Sequence, residues 1–176
     1  MRLAAGLLRL VLPLTLVSPA AAQWAGWDYA NDKEITPWAE LEAKIPRYPG
    51  EAGLIPFEAG MANGHRFFIE PSSLSIGEDG VVRYILVVKS AGGATNVSFE
   101  GIRCETREQK TYAIGQRDGV WTRARDPQWK RIEYKEYNRQ HGVLYRDFLC
   151  RTKAPAASVR DIVQLLKYPP RPAMND

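Results

Sequence analysis

Histidine and cysteine are the scarcest reactive residues in this chain, with two of each. His65 and His141 sit in unrelated contexts, and neither stands at a metal-ligand spacing. A site built of nitrogen and sulfur donors would need more of them. Also absent are the Gly-x-Ser-x-Gly elbow, the Walker A loop and the dinucleotide fingerprint. Gly92-Gly93 resembles a phosphate loop only superficially, because no helix start or lysine follows. Carboxylate pairs such as Glu105/Glu108 and Glu133/Glu136 lie among basic residues and read as solvated faces. These absences exclude most catalytic classes, so neither an enzyme nor a cofactor is expected.

Long apolar runs are missing except at the start. Met1-Arg2-Leu3 opens a basic, then apolar stretch to Val17, followed by Pro19-Ala20-Ala21-Ala22. That order matches a secretory signal peptide over residues 1–22, cut after Ala22. Arg9 and Pro13 interrupt the run, which falls short of the roughly 20 residues that span a bilayer. No transmembrane segment is therefore expected after cleavage, and the periplasm is the expected compartment. Arg2 and Arg9 leave with the leader, so 22 of the 24 basic side chains remain against all 20 acidic ones.

In an oxidising compartment a lone cysteine pair reads as a structural disulfide, here Cys104 with Cys150. There is no Cys-x-x-Cys spacing to suggest thiol chemistry, and each cysteine has apolar neighbours. The rest of the exported chain fits one globular domain over residues 23–168, with a disordered proline-rich tail over 169–176.

The chain is organised around Val81-Val82-Arg83-Tyr84-Ile85-Leu86-Val87-Val88, its most apolar run outside the leader. β-Branched and aromatic residues over that length predict a strand. Val82, Tyr84, Leu86 and Val88 share one face, and Val81, Arg83, Ile85, Val87 and Lys89 the other. Such a strand belongs in the middle of an antiparallel sheet. Asp79-Gly80 before it and Asp118-Gly119 further on predict hairpins, the first as a type I′ turn. Arg66–Glu70 reads as a strand, Pro71-Ser72-Ser73 as a corner, and Leu74–Gly77 as the next arm. Asn96–Cys104 returns with Val97 and Phe99 facing one way, which strands Ile102 and Cys104 on the other side. A bulge at Gly101 would restore one apolar side; a glycine admitting a close neighbour is the alternative.

Three helices are expected. Thr36-Pro37 starts one carrying Trp38, Leu41 and Ile45, and Asp126-Pro127 starts another leading to Trp129 and Ile132. Ser158 caps the last, with Val159, Ile162, Val163 and Leu166 as its apolar stripe. Val143–Leu149 reads as a helical turn or a strand. The fold class is α+β: a curved antiparallel sheet of about six strands with short helices on one side and at one end.

Several stretches resemble the cryptic neisserial protein family of small exported bacterial proteins. They are Arg66-Phe67-Phe68-Ile69, Leu74-Ser75-Ile76-Gly77, Asp79–Tyr84, Asn96–Cys104, Tyr112–Gly115, Asp118–Trp121 and Phe148-Leu149-Cys150. The resemblance implies a periplasmic protein of a family with no established activity, and it carries no catalytic residue.

Two functions from different classes fit these observations. The first is a binding module for an envelope component or another protein, with no nucleic acid as partner. Its candidate surface is Arg123, Arg125, Lys130 and Arg131 flanked by Trp121 and Trp129, in a half of the chain rich in positive charge. The second is a small-ligand carrier with a pocket inside the sheet, lined by Tyr84, Phe99 and Tyr112. For the leader, intact-mass analysis of the exported protein should give an N-terminus at Gln23. A mass that retains residues 1–22 would overturn the cleavage site.

Overall fold

A computed structural model describes residues 37–60, 64–133 and 139–170. The chain divides into two compact units after Pro37, and every element below lies in the second. The leader, the lead-in to Ile35, the Thr36 cap and the tail from Arg171 fall outside the described residues.

The main sheet is an antiparallel meander. Strands β1 (Ile55–Phe57), β2 (Arg66–Ile76), β3 (Val81–Lys89), β4 (Thr95–Arg103), β5 (Glu108–Gly115) and β6 (Trp121–Arg123) pair in chain order. β7 (Lys130–Arg131) pairs with the far end of β5, beyond β6. α1 (Arg139–Val143) runs into a π-helical segment, Leu144–Leu149. A two-strand ribbon, β8 (Cys150–Arg151) and β9 (Ala154–Pro155), then leads to α2 (Val159–Lys167). The Ser158 hydroxyl accepts the Asp161 N–H at 3.1 Å and caps α2, as its sequence predicts.

β3 sits where its composition puts it, between β2 and β4, and it is buried on both faces. On one face Val82, Tyr84 and Leu86 join Ile102, Leu144, Leu149, Ile162 and Leu166, so the helical layer covers this side. The Cys104–Cys150 disulfide ties that layer to the end of β4, across a Cα–Cα distance of 5.5 Å. Closing a loop of 46 residues contributes about 4 kcal/mol in the chain-entropy picture.

The second face holds Ile85, Val87, Val97, Phe99, Tyr112 and Ala113. Its cover is not a helix. Trp38–Gly50 has no regular secondary structure and lies across the sheet as a strap, with Ala43, Ile45 and Tyr48 packed on the apolar residues. The expected helix from Pro37 fails because its backbone is engaged elsewhere. The Leu41 N–H donates to Asp79 Oδ2 (2.9 Å) and the Leu41 carbonyl accepts from Arg83 Nη2 (2.9 Å). The expected helix from Pro127 fails likewise, since Lys130 and Arg131 pair with Gln109 and Glu108 of β5.

Two further expectations change, the first because both faces are buried. β4 runs past Gly101 in register with β3, so Gly101 is not a bulge. Ile102 and Phe99 point to opposite cores, and no inserted residue is needed. The glycine admits a close neighbour instead: a Cβ there would stand 2.8 Å from Tyr112 Oη and 3.0 Å from Val81 Cγ1. The bulge lies across the ladder. Phe99 pairs with Ala113 and Glu100 with Thr111, which leaves Tyr112 as the extra residue of β5. Pro71 does not end a strand either. β2 continues through it, with its irregularity between Glu70 and Ser75, where the Ser73 hydroxyl accepts the Ile85 N–H at 2.8 Å.

The hairpins stand where the Asp-Gly pairs predict, but not as type I′ turns. In Gly77–Val81 only Gly80 has positive φ (73°), and Gly77 N–H reaches the Val81 carbonyl at 2.9 Å. Ser90–Ala94 and Gln116–Val120 repeat this arrangement, with Gly93 and Gly119 as the left-handed residues. Each is a tight turn closed by one left-handed glycine. On the opposite edge Pro56 withholds an N–H from β1 and blunts that side against further pairing.

Gly101→Val should lower stability by about 1–3 kcal/mol through overpacking against Tyr112 and Val81. A thermal melt unchanged from the parent protein would show that the neighbours yield without cost.

Candidate functional site

Three clusters of polar side chains emerge, and two of them are consumed in holding the fold. The first ties down the strap. Asp79 and Arg83 form a buried pair, with Oδ2–Nη2 at 2.6 Å and Oδ1–Nη1 at 3.2 Å. The Asp79 carbonyl accepts the Trp38 indole N–H at 2.8 Å. Beside it Glu40 of the strap accepts from Lys110 Nζ (2.7 Å), Tyr112 Oη (2.9 Å) and Trp129 Nε1 (3.2 Å). Burial alone would raise both acids, but these donors and cations outweigh it and hold Asp79 and Glu40 below their ordinary values. The Tyr112 hydroxyl is pushed far up, by burial and then by Glu40. Trp38 lies over the Arg103 guanidinium, 3.8 Å from its ring centroid.

The second cluster lies under the helical layer. Glu100 of β4 is 5% exposed and His141 of α1 7% exposed, with Oε2–Nε2 at 2.8 Å. Tyr84 Oη donates to the same carboxylate oxygen (3.1 Å) and Ser98 Oγ to the other (2.7 Å). Burial disfavours both charges, yet each supports the other: Glu100 is lowered and His141 raised. Burial and the adjacent carboxylate drive the Tyr84 hydroxyl well up, so it stays a donor. This arrangement can hold α1 against the sheet, but its groups face each other rather than solvent.

The third group is the basic set beyond β5. Arg123 lies on β6, Arg125 in the following loop, and Lys130 and Arg131 on β7, all four exposed along one edge of the sheet. Ladder parity splits them between faces: Arg123 and Arg131 stand on the strap side, and Lys130 on the helix side. Trp121 and Trp129 are half-buried, and their indole N–H groups donate to Pro46 O (3.0 Å) and to Glu40. The four basic residues therefore share one rim of the sheet but not one face or one end of β5, while the two tryptophans serve mainly as packing.

The predicted pocket residues are not brought together. Tyr84 belongs to the core under the helices, whereas Phe99 and Tyr112 pack at a tilt in the core under the strap, ring centroids 5.3 Å apart. A groove of about 1450 Å³ lies elsewhere among the described residues, between β1, the π-helical segment and the end of α2. Leu54, Pro56, Phe148 and Leu166 contribute to its apolar walls. Sequence reasoning missed it because three distant segments form it. It also missed Glu100–His141, whose partners lie 41 residues apart with no motif between them. Among the described residues no group of three or more His, Cys, Asp or Glu could hold a metal ion. Nor is any described helix long and apolar enough to cross a membrane.

The geometry is that of a small disulfide-stapled α+β domain whose buried ionisable groups are paired internally. Its sequence places it more closely: the profile of the CNP1-like family matches residues 33–167, and the chain belongs to that family. No curated protein and no solved structure matches the chain.

The Glu100–His141 pair sets a pH window. A lowered acid stabilises above its ordinary pKa and loses that as pH falls through the folded value; a raised histidine stabilises below its ordinary pKa and loses that as pH rises through the folded value. The pair's contribution is therefore full between about pH 4.5 and 6.5 and declines on either side. Asp79 and Glu40 add to the acid limb, and the raised Tyr84 and Tyr112 hydroxyls enter only from about pH 10 upward, so the slope just above pH 6.5 reports His141. Glu100→Gln should cost about 3–5 kcal/mol, the usual loss when one partner of a buried pair is removed. It should also flatten the alkaline limb in denaturant melts run across pH. A variant that keeps the parent's alkaline slope would show that His141 titrates independently of Glu100.

Proposed function

We propose that the protein is a non-enzymatic binding module of the bacterial envelope, exported by its leader, and that the basic rim beyond β5 holds an anionic partner. The observation that carries this reading is the exposure of Arg123, Arg125, Lys130 and Arg131 along one sheet edge, with no ion pair to any of them among the described residues. Elsewhere Arg83, Arg103 and Lys110 are each matched to a carboxylate of the fold. Unmatched cations gathered on one edge produce a local positive potential that speeds and favours anionic association.

The non-enzymatic part draws support from the two polar clusters, whose groups are spent on one another and on the strap. A carrier with its pocket inside the curve of the sheet draws no support from a sheet filled on both faces. Replacing all four rim cations by glutamate should abolish recovery of an envelope partner in pull-downs from membrane and periplasmic extracts. Because all four are exposed, the melting temperature should stay close to the parent's. Recovery of the same partner by the reversed protein at equal salt would overturn the proposal.

A further inference from the structure

The end of the β5–β6 hairpin differs from the rest of the rim because it exposes apolar side chains among the cations. Ile114 is 51% exposed and Val120 57% exposed, although most large apolar residues of the sheet are buried. Ile114 pairs with Thr122, so Val120 is its diagonal neighbour on the same face. The other face of the hairpin carries Trp121 packed at a tilt against Tyr48 of the strap, ring centroids 5.2 Å apart. Both rings have their polar ends tied to backbone: Trp121 Nε1 to Pro46 O (3.0 Å) and Tyr48 Oη to Gln116 O (3.1 Å). Those bonds bring Arg47, exposed on the strap, to the same end as Arg117 and Arg123. The one acid between Ile114 and Arg125 is Asp118, and its carboxylate turns back to the Val120 N–H at 3.2 Å. A Cβ on Gly115 would stand 2.6 Å from the Tyr48 ring, so the glycine lets the strap seat flush against the hairpin.

Aliphatic side chains exposed on one face of the hairpin end, with Arg117 in its turn and Arg123 and the strap's Arg47 on the opposite face, match an anionic bilayer surface met tip first. Phosphates there lie at the level of the arginines, with hydrocarbon a few ångströms below. An acidic protein surface would satisfy the cations but give Ile114 and Val120 no hydrocarbon to enter. We infer that the β5–β6 hairpin is a membrane-docking tip, which sets Val120 and Ile114 into the interface of an anionic phospholipid surface while Arg47, Arg117 and Arg123 meet the headgroup phosphates. This rests on the reading of the rim as an anion-binding edge and names the partner as lipid.

The test is co-sedimentation of the purified protein with vesicles of phosphatidylcholine alone or mixed equally with phosphatidylglycerol, beside retention on polyglutamate beads. The mixed vesicles should bind the protein and the neutral ones should not, with binding lost as salt is raised. Ile114→Ser with Val120→Ser should weaken vesicle binding about tenfold and leave bead retention unchanged. Arg117→Glu with Arg123→Glu should abolish both. Retention on beads with no vesicle binding overturns the lipid inference and leaves the basic rim standing; failure on both overturns the rim as well. Full vesicle binding by the double serine protein would remove the hairpin from the docking role.

Discussion

Everything in this fold follows from a central strand that is apolar on both sides. β3 buries Val82, Tyr84 and Leu86 one way and Ile85 and Val87 the other, so a single covering layer cannot satisfy it. A sheet in this position needs two covers, and the chain supplies them by different means. One is a helical layer, held by apolar packing and a disulfide. The other is an irregular strap whose apolar contribution is small: Ala43, Ile45 and Tyr48. Such a segment has little burial to hold it, and it is fixed instead by Asp79 and Arg83 from the sheet and by its own Glu40.

The buried charges serve position more than gross stability. A buried ion pair roughly offsets its own desolvation, but it fixes which groups must meet. Asp79–Arg83 specifies where the strap crosses the first hairpin, and Glu40 specifies where it crosses β5 and Trp129. Glu100–His141 plays the equivalent part for α1, a helix of only five residues that has little packing of its own. The strap is thus registered to the sheet by two acids, Asp79 and Glu40, and the helical layer by one, Glu100, each reaching across a long sequence separation.

The legibility of the sequence follows the range of the interactions involved. β3, the hairpin positions, the Ser158 cap and the pairing of two lone cysteines depend on neighbours in sequence or on an unambiguous count, and all were readable. The helix expected at Trp38–Ile45 had a proline start and helical spacing, yet Asp79, 38 residues on, took its Leu41 N–H. Tyr112 could not be recognised as a bulge, nor Gly101 as its clearance, without knowing that β4 and β5 pair with one residue of slip. For the site, Arg123, Arg125, Lys130 and Arg131 were legible as charge but not as an edge. Tyr84, Phe99 and Tyr112 were legible as aromatic strand residues, and only the ladder shows that they serve opposite faces.

The Cys104–Cys150 bond also has a topological meaning. The backbone between the two cysteines includes β5, β6, β7, α1 and the π-helical segment, so the whole basic edge belongs to one covalent ring. A protease that nicks any exposed loop in that ring releases no fragment, because both sides of the cut stay joined through sulfur. Such a nicked molecule keeps its mass to within one water under oxidising conditions and separates only after reduction. The basic edge is therefore a part of the fold that a single cut cannot detach.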